Sequence, residues 1–227
     1  MIKVTENLGK IHKLLNTAAT AAGRSPAAVE LLAVSKRQPL QAILELADAG
    51  QRQFGENFVQ EGIEKISAAR RDELTWHFIG HLQSNKTRPV AEHFDWVHTV
   101  DRLKIARRLS EHRPPGSAPL NICLQVNIDN EDSKSGAATA DVLQLAAAVA
   151  ELPRLRLRGL MCIPRARDDT EAQRQPFRRL RELFEQLKAA GLELDTLSMG
   201  MTADYAAAIL EGATMVRIGT ALFGPRD

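Results

Sequence analysis

Little in this chain points toward a membrane, an oxidising compartment or a highly charged partner. No stretch approaches the roughly 18–20 apolar residues needed to span a bilayer, and the opening Met1-Ile2-Lys3-Val4-Thr5-Glu6 has no apolar signal core. Cysteine is nearly absent. Cys123 and Cys162 are the only two, both inside apolar runs, which suits reduced, buried thiols rather than a disulfide framework or a zinc site. These absences lead to the expectation of a soluble, cytoplasmic protein with no membrane partner. Charge of one sign is lacking too: 30 Lys+Arg against 28 Asp+Glu leave a formal net charge of +2, so bulk electrostatics gives no drive toward nucleic acid. Aromatic residues make up only 4%, with a single tyrosine, Tyr205. Glycine is missing where a dinucleotide-binding sheet needs it, since the first apolar strand runs into Lys36-Arg37-Gln38-Pro39. No linker stands out either. Pro114-Pro115-Gly116-Ser117 is a clear loop but too short to separate domains, so the chain reads as one domain over residues 1–227.

What is present is a repeated grammar of short apolar strand and amphipathic helix. Val4, Leu8, Ile11 and Leu15 recur at spacings of four, three and four, which predicts a helix ahead of the first strand, closed near Gly23. Strands are predicted to begin near residues 31, 52, 76, 96, 121, 155, 196 and 215, each followed by a helical pattern or the tail. Asp101 and Thr202 read as N-caps of the helices after the fourth and seventh strands. Phe58, Ile63 and Ile66 read as the apolar contacts of the helix after the second. The arginines between Arg165 and Arg181 lie among carboxylates and read as a solvated helix face. Strands joined by helix-length crossovers predict an α/β fold, a parallel (β/α)8 TIM barrel with an extra amino-terminal helix. An open doubly wound sheet is the alternative.

In such a barrel, functional groups gather at the carboxyl ends of the strands, and phosphate is often held after strands seven and eight. Alternation along Leu31-Leu32-Ala33-Val34-Ser35-Lys36 puts Leu32, Val34 and Lys36 on one side, so the first strand delivers an ammonium at the mouth. Most lysines that close a strand simply enter water. One held among apolar neighbours has a lowered pKa and condenses with aldehydes or ketones. Ser198, Gly200 and Thr202 follow strand seven, and Arg217, Gly219 and Thr220 mark the end of strand eight. Backbone N–H groups, hydroxyls and a guanidinium are the makings of a phosphate cup, although the same glycines also suit plain tight turns. Barrel closure sets strand one beside strand eight, so lysine and cup become neighbours. That pairing fits a carbonyl ligand carrying a phosphate, either pyridoxal 5′-phosphate (PLP) or a sugar phosphate held as in a Schiff-base aldolase. Arg217 suits a pyridine nitrogen or a phosphate, and the residues leave both open.

Seven segments together resemble a known family: Ala33-Val34-Ser35-Lys36, Phe54-Gly55-Glu56-Asn57, Trp76-His77-Phe78-Ile79-Gly80 with Leu82-Gln83 and Asn85-Lys86, Val126-Asn127-Ile128 with Ser133-Lys134-Ser135-Gly136, Arg158-Gly159-Leu160-Met161, Leu197-Ser198-Met199-Gly200-Met201, and Val216-Arg217-Ile218-Gly219-Thr220 with Phe223-Gly224. In this order they are similar to motifs of the YggS/PROSC (PLPBP) pyridoxal phosphate homeostasis proteins. The resemblance implies a barrel like the amino-terminal domain of alanine racemase, with PLP held as a Schiff base on Lys36. It implies phosphate contacts from Ser198, Gly200, Gly219, Thr220 and Arg217, and places Asn57 and Met161 along the cofactor. Val34 joins this candidate cofactor-binding set by its place below Lys36. A role in vitamin B6 and amino-acid homeostasis is implied as well, with apo forms of PLP-dependent enzymes as candidate recipients.

A PLP racemase needs an acid and a base on opposite faces of the substrate carbon. Lys36 serves one face. Racemases that resemble this chain do so only in their first domain; they add a β-rich second domain and take the opposing tyrosine from a partner subunit. Here Tyr205 falls in the helix after strand seven, where it reads as a packing or capping residue. The expectation is therefore a monomeric, non-catalytic carrier or regulator of PLP, with no residue assigned a catalytic role. A single-domain racemase and a Schiff-base aldolase are the alternatives. Lys86 and Lys134 fall in loops on the same face and could attract phosphate, against a default of plain solvation. His77 reads as a satisfied core histidine, and His81 is assigned nothing.

Overall fold

The structure, a computed structural model, describes residues 4–131 and 135–224. Helix α1 (Val4–Ala21) leads to β1 (Glu30–Val34), α2 (Leu40–Asp48), β2 (Gln53–Glu56), α3 (Val59–Ala69), β3 (Thr75–Phe78), α4 (Thr87–His93) and β4 (Trp96–Val100). The chain continues through α5 (Leu103–His112), β5 (Leu120–Gln125), α6 (Val142–Ala150), β6 (Leu155–Met161), α7 (Thr170–Ala189), β7 (Thr196–Ser198), α8 (Tyr205–Leu210), β8 (Met215–Ile218) and α9 (Thr220–Phe223). All neighbouring strands are parallel, and β8 pairs with β1, with Leu32 opposite Arg217, so the expected barrel closes. The strands begin within one residue of their expected starts. Lys134 lies outside the described residues, and among those described no helix is long and apolar enough to cross a membrane.

The four-three-four spacing in α1 works as its periodicity implies: Val4, Leu8, Ile11, Leu15 and Ala19 are buried, and the helix packs across α8, α9 and α2. Burying a leucine or isoleucine contributes about 1.5–3 kcal/mol. Polar contacts fix its angle, because Asn7 Nδ2 donates to Leu222 O at 3.0 Å and Arg24 Nη1 donates to Ile209 O at 2.9 Å and Ala213 O at 2.8 Å. Most of the apolar core lies between barrel and helices. Among the described residues, two small apolar groups lie inside the barrel, Leu32 with Val34, Ile79 and Met215, and Trp96 with Cys123 and Met161. Polar side chains separate them.

Several local expectations change. Asp101 does not cap α5; its carboxylate takes a 2.7 Å contact from Arg102, the residue at the N-cap position. Thr202 does not cap α8 either, because the loop closes later, with Asp204 Oδ1 accepting from Met201 N at 2.6 Å. On α3 the face toward the barrel is Gly62 and Lys65; Ile63 and Ile66 are only partly buried, and Phe58 is 45% exposed beneath the Arg37 guanidinium. The arginines of 165–181 are not simply a solvated face. Arg165, Arg167 and Arg179 converge on Asp129, the first through its backbone N–H, and Arg174, Arg178 and Arg181 converge on the buried Glu211, two carboxylates distant in sequence.

Candidate functional site

The carboxyl ends of the strands surround a cavity of about 310 Å³. Strand β1 and its exit supply Val34 and Lys36, the turn after β2 supplies Asn57, and Ile79 and Ile163 follow β3 and β6. The β7–α8 loop contributes Met201, Thr202 and Ala203, and β8 with its exit contributes Arg217, Gly219 and Thr220. Six of the nine residues expected at a cofactor site thus meet on one wall: Val34, Lys36, Asn57, Arg217, Gly219 and Thr220.

Three do not. Met161 is fully buried in the barrel with Trp96 and Cys123, because β5 and β6 slip register between Ile122 and Cys123 and the end of β6 turns inward. Gly200 is buried at φ +93°, and an added Cβ would lie 2.6 Å from Ala208 Cβ, so close packing against α8 requires glycine there. The Ser198 hydroxyl points into the barrel, bonded to His98 and Arg217. Ile79, Ile163, Met201 and Ala203 were not foreseen; their signal in the sequence is only their position just past a strand end. Lys86 is exposed and borders a neighbouring hollow with Phe58 and His81.

Arg217 is the unusual group on this wall. It is 5% exposed, and its Nη1 donates to Ser198 O at 2.6 Å and Ser198 Oγ at 2.8 Å while Nη2 donates to Cys162 O at 2.8 Å. Three of the five guanidinium N–H groups are used in this way, and two remain. Among the described residues no carboxylate lies within ion-pair distance of it, although the field of Asp204 reaches it. A buried cation without a counterion is costly unless something else meets it. An anionic or electron-rich ligand does so.

The turn that carries Lys36 is anchored from outside the barrel. Glu56, at the end of β2, is fully buried and accepts from Ser35 Oγ at 2.6 Å and from Lys65 Nζ at 2.8 Å. Lys65 Nζ also donates to Ser35 O at 2.7 Å and to Glu61 Oε1 at 2.6 Å, and Glu61 in turn accepts from the backbone N–H of Arg37. Both chain neighbours of Lys36 are therefore tied to one charged cluster, with Arg37 held at φ +59°. Burial pushes the Glu56 carboxyl up from its ordinary value, against the opposing pull of Lys65 and Ser35.

The wall fits a phosphorylated aldehyde on two further observations. Asn57 Oδ1 is buried without a hydrogen-bond partner, so a donor on a bound molecule would satisfy it. At Gly219 an added Cβ would come within 3.3 Å of Val34 O, so any side chain there would crowd β1 at the cavity floor.

Residues 7–227 match the family described as alanine racemase, N-terminal domain. Over 227 residues the chain is 59% identical to the pyridoxal phosphate homeostasis protein of Pseudomonas aeruginosa, covering 100% of this chain and 97% of that one. The chain belongs to the pyridoxal phosphate homeostasis protein family. Within this family fold, PipY of Synechococcus elongatus, solved with PLP bound, is 38% identical with a TM-score of 0.83, covering 98% of this chain and 100% of PipY. Alanine racemase of Clostridium difficile superposes with a TM-score of 0.74 at 14% identity, covering 95% of this chain but 56% of the racemase, a likeness of fold alone.

Proposed function

We propose that this member of the pyridoxal phosphate homeostasis family binds PLP at the barrel mouth and holds it for release to apoenzymes rather than using it for turnover. The observation that carries the reading is that Lys36 and the carboxylate-free Arg217 open on one cavity with Thr202, Gly219 and Thr220. PLP supplies an aldehyde that a lysine amine captures reversibly. Lys36 Nζ is that amine. Thr202 and Thr220 offer hydroxyls to the phosphate, and the backbone at Gly219 and Thr220 adds N–H donors. Arg217 lies two residues deeper on β8 than Gly219, about 7 Å at the usual strand rise, which suits the ring nitrogen better than the phosphate.

The wall also supports the absence of turnover. Among the described side chains that line it, Lys36 and Arg217 are the only ionisable ones, and Arg217 stays protonated. Tyr205, the sole tyrosine, packs its ring against the core between barrel and helices. A racemase needs a second acid–base group across the substrate, and this wall offers none. The test is a visible spectrum of the purified protein, followed by borohydride reduction and peptide mapping. The reading expects a yellow protein labelled on Lys36, a colourless Lys36→Ala variant, and no racemisation of amino acids. Racemisation at about 1 s⁻¹ or faster would overturn the carrier role, and a label absent from Lys36 would overturn the site.

A further inference from the structure

We infer that His98 is a positioning residue: acting through Ser198, it fixes how Arg217 presents its guanidinium to the cavity. This deepens the PLP-binding reading above and rests on it. The basis is a seam of polar side chains that crosses the barrel between its two apolar groups. His77, His98 and Ser198 are each 0% exposed. Gln53 Oε1 lies 2.6 Å from His77 Nε2, His77 Nδ1 lies 2.9 Å from His98 Nε2, and His98 Nδ1 lies 2.8 Å from Ser198 Oγ. Ser198 Oγ then takes the 2.8 Å bond from Arg217 Nη1.

The two ends of the seam set its direction. Arginine only donates, so Ser198 Oγ accepts from Arg217 and has its own hydrogen to give to His98 Nδ1. At the other end the amide oxygen of Gln53 only accepts, so His77 carries its hydrogen on Nε2. A neutral imidazole with one N–H then accepts at Nδ1, which places the hydrogen of His98 on Nε2. Every donor in the seam meets one acceptor, and both rings are neutral. A hydroxyl without His98 would be free to rotate, and its hydrogen could turn toward the guanidinium. With His98 in place a lone pair must face Arg217.

The consequence lies in what the seam withholds. A carboxylate in the place of Ser198 would hold Arg217 more firmly, but it would neutralise the cation. Two carbonyls and a tautomer-fixed hydroxyl hold the fork by three bonds and leave its charge for the ligand. His98 touches no ligand, and its whole effect runs through Ser198.

The test compares Ser198→Ala, His98→Leu and His98→Asn with the parent chain, all loaded with PLP. Asparagine keeps an acceptor near the place of Nδ1, whereas leucine removes it. Urea unfolding of each apo protein identifies the variants that fold; Ser198→Ala deletes one hydroxyl, and it decides the matter if His98→Leu is unstable. The expected result is a displaced visible band and about a 5–10-fold weaker PLP dissociation constant for Ser198→Ala and His98→Leu, with His98→Asn restoring both toward the parent. A purely structural role would lower the unfolding midpoint without moving the band. If folded Ser198→Ala keeps the parent band and affinity while Lys36 still takes the borohydride label, this inference fails and the PLP-binding reading stands. If the parent itself takes no label on Lys36, both fail.

Discussion

Replacing Lys65 by methionine tests whether the cluster behind Lys36 is a buried ionic anchor. Methionine keeps most of the volume of a side chain that is 9% exposed and removes its ammonium, which donates to three oxygens. What remains is Glu56, fully buried, with one oxygen already unpartnered and only the Ser35 hydroxyl on the other. Removing one partner of a buried ion pair typically destabilises by about 3–5 kcal/mol, because the surviving charge is stranded. Glu56 has one escape, protonation, and its carboxyl is already pushed upward by burial before Lys65 is removed. The penalty should therefore be largest in alkaline solution and shrink on acidification.

The sign follows from proton binding. In the variant the folded-state pKa of Glu56 stands further above its unfolded value, so in the window between the two the folded state binds more protons. Stability then rises as pH falls, by up to about 1.4 kcal/mol per pH unit. Urea unfolding can be followed through the buried Trp76 and Trp96. At pH 8 we expect a loss of about 3 kcal/mol, diminishing toward pH 5 relative to the parent. Lys65→Met combined with Glu56→Gln should recover about 2 kcal/mol of it, since no stranded charge is left. A loss below about 1 kcal/mol at pH 8, or one that does not change with pH, would refute the reasoning.

Burial lowers the pKa of His77 to about 3 and holds His98 well below its ordinary value, so both are neutral in the folded protein and titrate near 6.5 when unfolded. Stability present above pH 6.5 should be lost as pH falls toward 3, about 2 kcal/mol from His77 alone by pH 5; urea midpoints measured in His77→Gln should show a weaker dependence over the same range. Gly200→Ala should destabilise by about 2–4 kcal/mol, because it forces a side chain into φ +93° and against Ala208; an unchanged denaturation midpoint would show that the loop yields freely. Arg217→Met should weaken PLP binding by about 10–100-fold, measured by equilibrium titration, with borohydride labelling still directed to Lys36.

The fold was legible because its signals are local. Strand length, helical spacing and turn residues located every strand, and alternation correctly turned Leu32, Val34 and Lys36 to the inside and mouth. The wall was legible where placement at a strand end was enough, as for Asn57, Gly219 and Thr220. It was illegible where a side chain's direction depends on a distant partner. The Ser198 hydroxyl turns into the barrel toward His98, a partner one hundred residues away in the chain. Met161 looks like a wall residue until the slip between β5 and β6 turns it inward. Lys65 takes the buried face of α3 in place of Ile63 and Ile66, held there by the Glu56 and Glu61 carboxylates and by Ser35 O. His77 reads correctly as a satisfied core histidine, but its partners come from two other strands.

These hidden interactions form two supports with one logic. Among the described residues that line the cavity, Lys36 and Arg217 are the basic side chains and no carboxylate is present. Each is positioned by groups set behind it. The Ser35–Arg37 turn is fixed by Glu56, Glu61 and Lys65, in which the carboxylates are engaged by Lys65 and by the turn's own hydroxyl and N–H. Arg217 is fixed by two carbonyls and a neutral seam. A dianionic phosphate gains from a partly desolvated site lined in this way. Among the described lining residues no second acid–base side chain stands beside Lys36. Under the proposed function, a wall that attracts a phosphorylated aldehyde and a lysine amine that captures it reversibly are together what a carrier of PLP requires.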